Sequence, residues 1–397
     1  MNRKIQIFSL FLGMIPLFLG KEMAAAEGFT LSGFLDSKVN FQGGTGDSGT
    51  FLFGWEEYAN LRLQTNIGDR ADFYGAFNFI AAAGSSALAA GSFTGAASNL
   101  SAASAFIPGD NYVAAMELER LYLRIKGTYL DVDTGLMRLG FGYGQVFSPS
   151  DFLNPRNPLF PDARPRAVLG AAVSLYPEDT IKLLAFTAAP KNPFNANGKG
   201  FLMGFSGDKH WDRASVQVLY SFESPQDTSE QGIHRTGLSL KADMEVGFTV
   251  DMLYRYNHAV PTGIEGLSLS TGVDYSFFDG NCYVLTEYLY NGAASSTMKS
   301  VENQTGFSNR NYLCGTFLYH FNDYTQINLT VIFGLDDISF SPSLSLDHDL
   351  FQGITLSLTG RIPLDRDIFT GNGLHGELGP QMTGTNGLVT AKLRVRF

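Results

Sequence analysis

Residues with chemical reactivity are few and scattered along this chain. No pair of histidines or cysteines has the spacing of a structural zinc site. The triplet Asp347-His348-Asp349 has the residue types of an acid–base pair, but we expect it to lie in a turn. The six histidines are His210, His234, His258, His320, His348 and His375. The sequence therefore predicts no enzyme activity, no metal site and no cofactor.

A stretch rich in proline and charge, RLGFGYGQVFSPSDFLNPRNPLFPDARPR, runs from Arg138 to Arg166. Proline fixes φ and cannot donate to a β-ladder, so neither a central strand nor a helix can pass through this stretch. Aromatic and charged residues alternate with the prolines, which favours an ordered loop. The charged residues of interest are Asp151, Arg156, Asp162, Arg164 and Arg166. What this loop can do depends on the elements that hold it.

The last ten residues, Leu388 to Phe397, alternate strictly between apolar and polar side chains. This pattern, over about the length of a membrane-spanning strand, indicates a transmembrane β-barrel with apolar residues toward lipid and polar residues toward a wet lumen. The terminal Phe397, with Val395 two residues before it, resembles the assembly signal of bacterial outer-membrane barrels. That resemblance implies recognition by the barrel-assembly machinery.

The same alternation recurs along the whole chain. It is clear in the segments 29–39, 59–64, 235–244, 268–277, 326–333 and 354–362. A soluble sandwich would fit one such segment, but it does not explain their repetition in a chain with an export signal. The sequence therefore predicts an all-β protein, an antiparallel transmembrane barrel of about 16–18 strands in a single domain.

The N-terminus has the features of a cleaved signal peptide, which we place at residues 1–26. Arg3 and Lys4 precede an apolar run, and Ala24-Ala25-Ala26 offers a cleavage site. The barrel then occupies residues 27–397, and the expected location is the cell outer membrane. The formal net charge is −10, which argues against a nucleic-acid partner.

The predicted strands are joined alternately by short turns and longer loops, as in porins. The long external loops are predicted at residues 82–111, 141–166, 292–309 and 363–386. Loop 141–166 is the third external loop by this count, and in general porins the third loop folds inward. It is therefore a candidate constriction, although it could instead lie over the rim. Loop 82–111 is rich in Ala, Gly, Ser and Thr, and could be a surface cover, a short helix or a partial plug.

The inward positions of the predicted strands carry many cations. They are Arg62, Arg120, Arg124, Arg235, Lys241, Arg255, Arg361, Lys392, Arg394 and Arg396. A basic wall would raise the local concentration of anions and favour anionic solutes. Alternatively, these cations pair with loop carboxylates and only keep the lumen wet. Both interpretations remain open at this point.

One part of the proline-rich stretch is similar to a motif of large outer-membrane barrels of the alginate-export type and related porin-like families. The residues that carry the resemblance are Arg138, Gly142-Tyr143-Gly144, Ser148-Pro149-Ser150-Asp151 and Asn154-Pro155. The resemblance implies an outer-membrane channel, but not its cargo, because these families differ in the solutes that they pass.

The sequence thus predicts a channel for passive or facilitated diffusion of small polar solutes, anions among them, with loop 141–166 as the constriction. The expected partners are outer-membrane lipid, the assembly machinery and small solutes, and no oligomeric state is indicated. The alternatives are a transporter of long-chain fatty acids or other hydrophobic solutes, and a surface adhesin barrel. An outer-membrane hydrolase is the weakest alternative.

Overall fold

A computed structural model describes the chain at residues 29–44, 51–86, 104–108, 111–154, 158, 167–189, 200–225, 231–257, 263–295, 307–367, 375–383 and 385–397. The predicted signal peptide lies outside these residues. The described strands form one antiparallel sheet. Eighteen of them close into a ring, because β1 pairs with β19 from Phe34 opposite Arg396 to Gly43 opposite Gly387. The prediction of a closed barrel with up to 18 strands is confirmed.

The strands of the ring, which are all of those below except β4, follow one another in chain order. Their bounds are β1 Phe29–Gly43, β2 Phe51–Ile67, β3 Ala71–Gly84, β4 Ser104–Pro108, β5 Tyr112–Lys126, β6 Leu130–Met137, β7 Val168–Glu178, β8 Ile181–Ala188, β9 Leu202–Trp211, β10 Ala214–Glu223, β11 Ile233–Asp243, β12 Gly247–Asn257, β13 Leu267–Phe277, β14 Cys282–Asn291, β15 Asn311–Asn322, β16 Thr325–Gly334, β17 Ser339–Phe351, β18 Ile354–Arg361 and β19 Gly387–Arg396.

The structure also contains short helical segments. Those described over their whole length include a helix α1 at Pro380–Thr383 and 3-10 turns at Gly263–Gly266 and Gly292–Ser295. In the part of the chain that the structure describes, none of the helices has both the length and the apolar character needed to cross a membrane.

Phe29 and Phe397 lie at the same end of the barrel, because Phe29 is opposite Thr65 at the start of the β1–β2 ladder and Phe397 pairs with Gly33. Short turns join the strands at this end, and the long connections lie at the opposite end. In barrels of this type the short turns are periplasmic and the long loops external. We therefore call the two ends the periplasmic end and the outer end.

The side chains alternate between the two faces of the wall, as in strand β12. Thr249, Asp251 and Arg255 are buried on the inner face, whereas Phe248 and Tyr256 point outward and are exposed. Successive residues of a strand point to opposite faces, and a continuous ladder leaves no open edge for water to solvate. The wall therefore presents apolar side chains outward and mostly polar side chains inward.

Two local features differ from the sequence-based expectations. Asp347-His348-Asp349 lies inside β17 and not in a turn, so that prediction is wrong; the chain turns after Phe351, with Gly353 at a φ of +79°. Of the predicted loop 82–111, Ser104–Pro108 forms β4, which pairs with the outer half of β5. This half of β5 is free to pair with β4 because β6 ends at Met137, opposite the middle of β5.

Candidate constriction of the lumen

Strand β6 is followed by a segment that leaves the wall, residues 138–154, which we call the inner segment. Its described atoms contact the inner faces of β10, β12, β13 and β14, which lie well away from β6 around the ring. Gly142 allows the sharp change of direction, since its φ of +84° is one that side chains with a Cβ rarely adopt.

Glu287 on β14 holds the middle of the inner segment. Its carboxylate accepts hydrogen bonds from the backbone N–H groups of Val146 and Phe147, each at 2.9 Å, and from the hydroxyl of Ser270 at 2.6 Å. Glu287 is fully buried. A buried carboxylate is costly unless its oxygens are hydrogen-bonded, and here backbone groups of the inner segment supply two of the donors.

A second carboxylate, Asp251 on β12, is also fully buried beneath the inner segment. The hydroxyl of Ser148 donates to Oδ2 at 2.8 Å, the hydroxyl of Ser239 donates to Oδ1 at 2.7 Å, and Ser150 also donates to Oδ1. A Cβ added to Gly142 would overlap this carboxylate. The close approach of backbone to carboxylate therefore requires glycine at position 142.

Neighbouring polar contacts extend this attachment. The N–H of Gly142 donates to Oε1 of Gln217 on β10 at 2.7 Å. Gln145 donates to Asp274 on β13 at 3.1 Å and accepts from the hydroxyl of Tyr283 at 2.7 Å. Burial and the nearby charge of Asp208 raise the pKa of Tyr143 to about 12, so its phenol stays neutral at physiological pH.

The inner segment also has an apolar side. Phe141 packs against Phe152 and Phe186, with ring centroids 6.0 and 5.2 Å away. The buried apolar cluster comprises Met137, Leu139, Phe141, Phe152, Leu153, Val168, Ala172, Leu184, Phe186, Ala188, Leu202, Leu219 and Leu253. Burying each large apolar side chain contributes about 1.5–3 kcal/mol. This cluster explains why β7 and β8 carry apolar residues on their inner faces, where a wet lumen would favour polar ones.

A second apolar contact lies next to Glu287. Phe147 packs against Phe307 and Tyr312, with ring centroids 6.1 and 6.4 Å away. The side chains of Phe147, Leu289, Phe307 and Tyr312 are all buried. The inner segment is thus fixed at several points by both carboxylates and apolar packing.

The start of the inner segment is bonded to a different part of the wall, at β5. Arg138 donates to Glu119 of β5 at 2.7 Å, and Glu119 also accepts from the amide of Asn60 at 2.6 Å. The pairing of β3 with β5 shifts by one residue here, because Ala76 is opposite Arg120 and Phe77 is opposite Leu118. Glu119 and Arg120 can therefore both lie in this inner region although they are consecutive in sequence. Burial lowers the pKa of Arg138, while the charge of Glu119 acts in the opposite direction. Arginine nevertheless stays charged in proteins.

Aromatic rings separate the arginines on the wall formed by β19, β1, β2, β3 and β5. The guanidinium of Arg120 lies over the ring of Tyr74, 5.0 Å from its centroid. Arg394 and Arg62 lie over the ring of Phe34, at 4.5 and 5.7 Å. Such cation–π contacts position guanidinium groups while leaving their edges open to solvent.

The predicted constriction residues fall partly outside the described chain. Arg156, Asp162, Arg164 and Arg166 lie there, and only Asp151 can be placed. Asp151 is buried, its N–H donates to the carbonyl of Ser148 at 3.0 Å, and it accepts from the amide of Asn154 at 3.2 Å. Its carboxylate therefore supports the fold of the inner segment.

The predicted wall cations fall into two groups by their surroundings. Arg235 and Arg255 face inward but are buried, and Phe152 of the inner segment lies 5.0 Å from the Arg235 guanidinium. The remaining eight are at least partly exposed: Arg62, Arg120, Arg124, Lys241, Arg361, Lys392, Arg394 and Arg396.

Several of these exposed cations have acidic neighbours. Arg394 forms a bidentate pair with Asp36, with both N–O distances at 2.7 Å. Arg124 pairs with Asp133, Lys241 with Asp243 and Arg120 with Glu119. By contrast, Arg62 donates to the amide oxygen of Asn60 and Arg396 to the hydroxyl of Thr355. The last two arginines thus use neutral acceptors.

The sequence alone did not assign Asp251 and Glu287 to the anchoring of the inner segment. It also missed Glu119, Asn60 and Ser148 as parts of this arrangement. One signal was present in the sequence: Asp251 and Glu287 are each the one carboxylate at the inward positions of their strand, between Thr249 and Leu253 on β12 or between Leu285 and Leu289 on β14. Such carboxylates need donors from elsewhere in the chain.

No family model matches the chain, and no curated protein matches it in sequence. Among solved structures it is similar to OccK5 (OpdH) of Pseudomonas aeruginosa, with 12% identity, a TM-score of 0.55, and coverage of 94% of this chain and 98% of that one. It is also similar to OccAB3 of Acinetobacter baumannii, with 10% identity, a TM-score of 0.54, and coverage of 93% of this chain and 99% of that one. The similarity to OpdQ of Pseudomonas aeruginosa has 10% identity, a TM-score of 0.54, and coverage of 93% of this chain and 97% of that one.

These neighbours are outer-membrane porins, and at this level of identity the likeness concerns the fold. The closed ring, its apolar outer face and its polar inner face are independent observations that agree with it. The chain is therefore an outer-membrane β-barrel with the porin fold.

Proposed function

We propose that this protein is a channel for the diffusion of small polar solutes, and that the inner segment narrows its lumen. The observation that carries the proposal is the attachment of residues 138–154 to Glu287 and Asp251 on strands away from β6. A segment fixed in this way occupies part of the cross-section, so solutes must pass between it and the facing wall.

We further propose that the channel prefers anions. The inner segment buries Asp251 and Glu287, which removes two carboxylates from contact with the aqueous lumen. The facing wall keeps Arg62, Arg120 and Arg394 partly exposed. In a narrow aqueous passage with low-dielectric walls, such an asymmetry raises the local concentration of anions. The ion pairs on this wall weaken the preference without cancelling it, because Arg62 and Arg396 use neutral acceptors.

Replacing Arg62 and Arg396 together by glutamine should shift the channel toward cations. We expect the anion-to-cation permeability ratio to fall by roughly a factor of two, because two wall charges are lost while the buried carboxylates stay covered. The measurement is the reversal potential of the purified protein in a planar bilayer under a potassium chloride gradient.

A matched control is Lys209→Gln, which removes a cation from the outer face near the periplasmic end. That variant should keep the reversal potential of the unmodified chain. An equal shift in both variants would assign the effect to net charge and contradict a role for the inner wall. A chain that gives no conductance at all would contradict the channel itself.

A further inference from the structure

The connection between β18 and β19 turns back toward strands that precede it in the chain. Its two ends are bonded to the wall: Leu364 and Phe340 exchange backbone hydrogen bonds of 2.9 and 2.8 Å, and the N–H of Asn386 donates to the carbonyl of Gly43 at 3.0 Å. Between these ends, residues 375–379 bond to the turn between β16 and β17 and to the connection that leads into β15. We call residues 375–379 the outer strap.

Glu377 bonds the outer strap to the stretch between β14 and β15. Its carboxylate accepts hydrogen bonds from the N–H of Ser308 at 2.7 Å, from the N–H of Asn309 at 3.1 Å, and from the hydroxyl of Tyr312. The N–H of Glu377 donates to the carboxylate of Asp337, in the turn between β16 and β17, at 2.6 Å. Because three donors from one short stretch converge on the same carboxylate, Glu377 fixes the position of that stretch.

The stretch that Glu377 holds carries the rings that pack on the inner segment. Phe147 of the inner segment lies against Phe307 and Tyr312, and the centroids of these two rings are 4.6 Å apart. Leu378 of the outer strap is fully buried in the same apolar cluster. Rings whose position depends on Glu377 therefore cover Phe147.

The outer strap also fits closely against the start of β17. The N–H of Leu378 donates to the hydroxyl of Ser339 at 3.1 Å, and a Cβ added to Gly376 would overlap Ser339. The preceding residue, Ile338, has a φ of +55°, which is costly for a β-branched side chain. Strained backbone of this kind persists only where its surroundings hold it. Asp337 does so here, because its carboxylate accepts hydrogen bonds from both Ser339 and the strap.

We propose that the outer strap positions the inner segment, and that Glu377 is the positioning residue. The inference rests on the proposed function, because it concerns the segment that narrows the lumen. Glu287 and Asp251 hold that segment from the wall, whereas the strap holds the rings that cover Phe147. The last connection of the chain thus takes part in setting the width of the passage, and release of the strap widens it.

Cys314 on β15 reports the position of the inner segment. Its side chain is fully buried, lies opposite Glu287 in the pairing of β14 with β15, and belongs to the cluster around Phe147. It faces the lumen beneath these residues, so a water-soluble thiol reagent reaches it only when the cluster opens. With Cys282→Ser as the background, Cys314 is the one thiol of the chain.

The test follows the reaction of Cys314 with a small charged methanethiosulfonate in nanodiscs, where both ends of the barrel are open to the reagent. We expect Glu377→Ala to increase the labelling rate roughly tenfold or more, because hydrogen bonds to a charged group are lost from a stretch that opens locally. Tyr312→Phe should give a smaller increase, since it removes one hydroxyl and leaves its ring against Phe147. Asp212→Ala is the control for net charge, because Asp212 is exposed in the periplasmic turn between β9 and β10, and labelling should not change.

An access control and the single-channel conductance separate the outcomes. In a chain with Cys314→Ser, Thr316→Cys places a thiol at the next inward position of β15, and its labelling shows that the reagent enters the lumen. If Thr316→Cys is labelled while Cys314 stays protected in Glu377→Ala, or if Cys314 reacts as fast with the native strap, the strap does not position the segment. Faster labelling together with higher conductance supports both proposals. Faster labelling with unchanged conductance supports the strap and contradicts the narrowing of the lumen.

Discussion

Replacing Glu287 by alanine is expected to raise the single-channel conductance, by roughly a factor of two, and to increase the current noise. The substitution removes the acceptor for the N–H groups of Val146 and Phe147 and for the hydroxyl of Ser270. Each hydrogen bond to a charged group contributes about 1.5–3 kcal/mol, and the donors left behind are in a buried place. The middle of the inner segment should therefore detach from β14 and widen the passage.

The measurement is conductance in a planar bilayer, with Thr286→Ala as the matched control. Thr286 is the adjacent residue of β14 and points to the outer face, so its replacement leaves the inner segment untouched. Glu287→Gln should give a smaller increase, because its amide keeps one carbonyl acceptor. An unchanged conductance in folded Glu287→Ala would show that residues 145–148 do not limit the passage.

This expected effect is local, because the apolar cluster holds the inner segment independently of Glu287. Leu139, Phe141, Phe152 and Leu153 would remain packed on the inner faces of β7–β10 and β12. This cluster and Glu287 thus act at different residues of the segment. Glu287 holds the backbone of Val146 and Phe147, and the cluster holds Leu139, Phe141, Phe152 and Leu153.

The ring could be predicted from the sequence because strand alternation is a local property. Within one strand such as β19, the alternation of apolar and polar residues shows which side chains face lipid and which face the lumen. Repetition of this pattern along the chain implies that the sheet closes into a barrel. The irregular structure of the third external loop was also predictable, since its prolines exclude a central strand or a helix there. These predictions use only neighbours along the chain.

The attachment of the inner segment could not be predicted in the same way. It depends on which strands lie across the lumen from β6, and hence on strand number and register. Phe186 illustrates the difficulty, because an inward aromatic residue contradicts a wet lumen until Phe141 covers it. Arg235 illustrates the same difficulty. Its inward position predicts contact with solutes, but the ring of Phe152 covers its guanidinium group. The register shift at Glu119 likewise has no signature in the sequence.

Stability of the closed ring depends on the seam between its first and last strands. Gly33 and Phe397 exchange backbone hydrogen bonds of 2.9 and 3.1 Å, and the ring of Phe397 lies over the Cα of Gly33. The predicted role of Val395 and Phe397 in assembly concerns a partner, but this contact gives Phe397 a second role in holding the seam. The two roles can be separated by refolding the protein into lipid vesicles without any assembly factor.

Gly33→Ala should destabilise the refolded barrel toward urea by about 1–3 kcal/mol, the usual range for overpacking a tight site. An added Cβ would overlap the backbone oxygen of Asn60 and crowd the ring of Phe397. Phe397→Ala should lower stability by about as much, because it exposes the seam that the ring covers. Gly315→Ala is the matched control, since a Cβ there would meet no atom within 4 Å. If Gly33→Ala and Gly315→Ala unfold at the same urea concentration, the seam does not limit the stability of the ring, and Phe397 acts only through assembly.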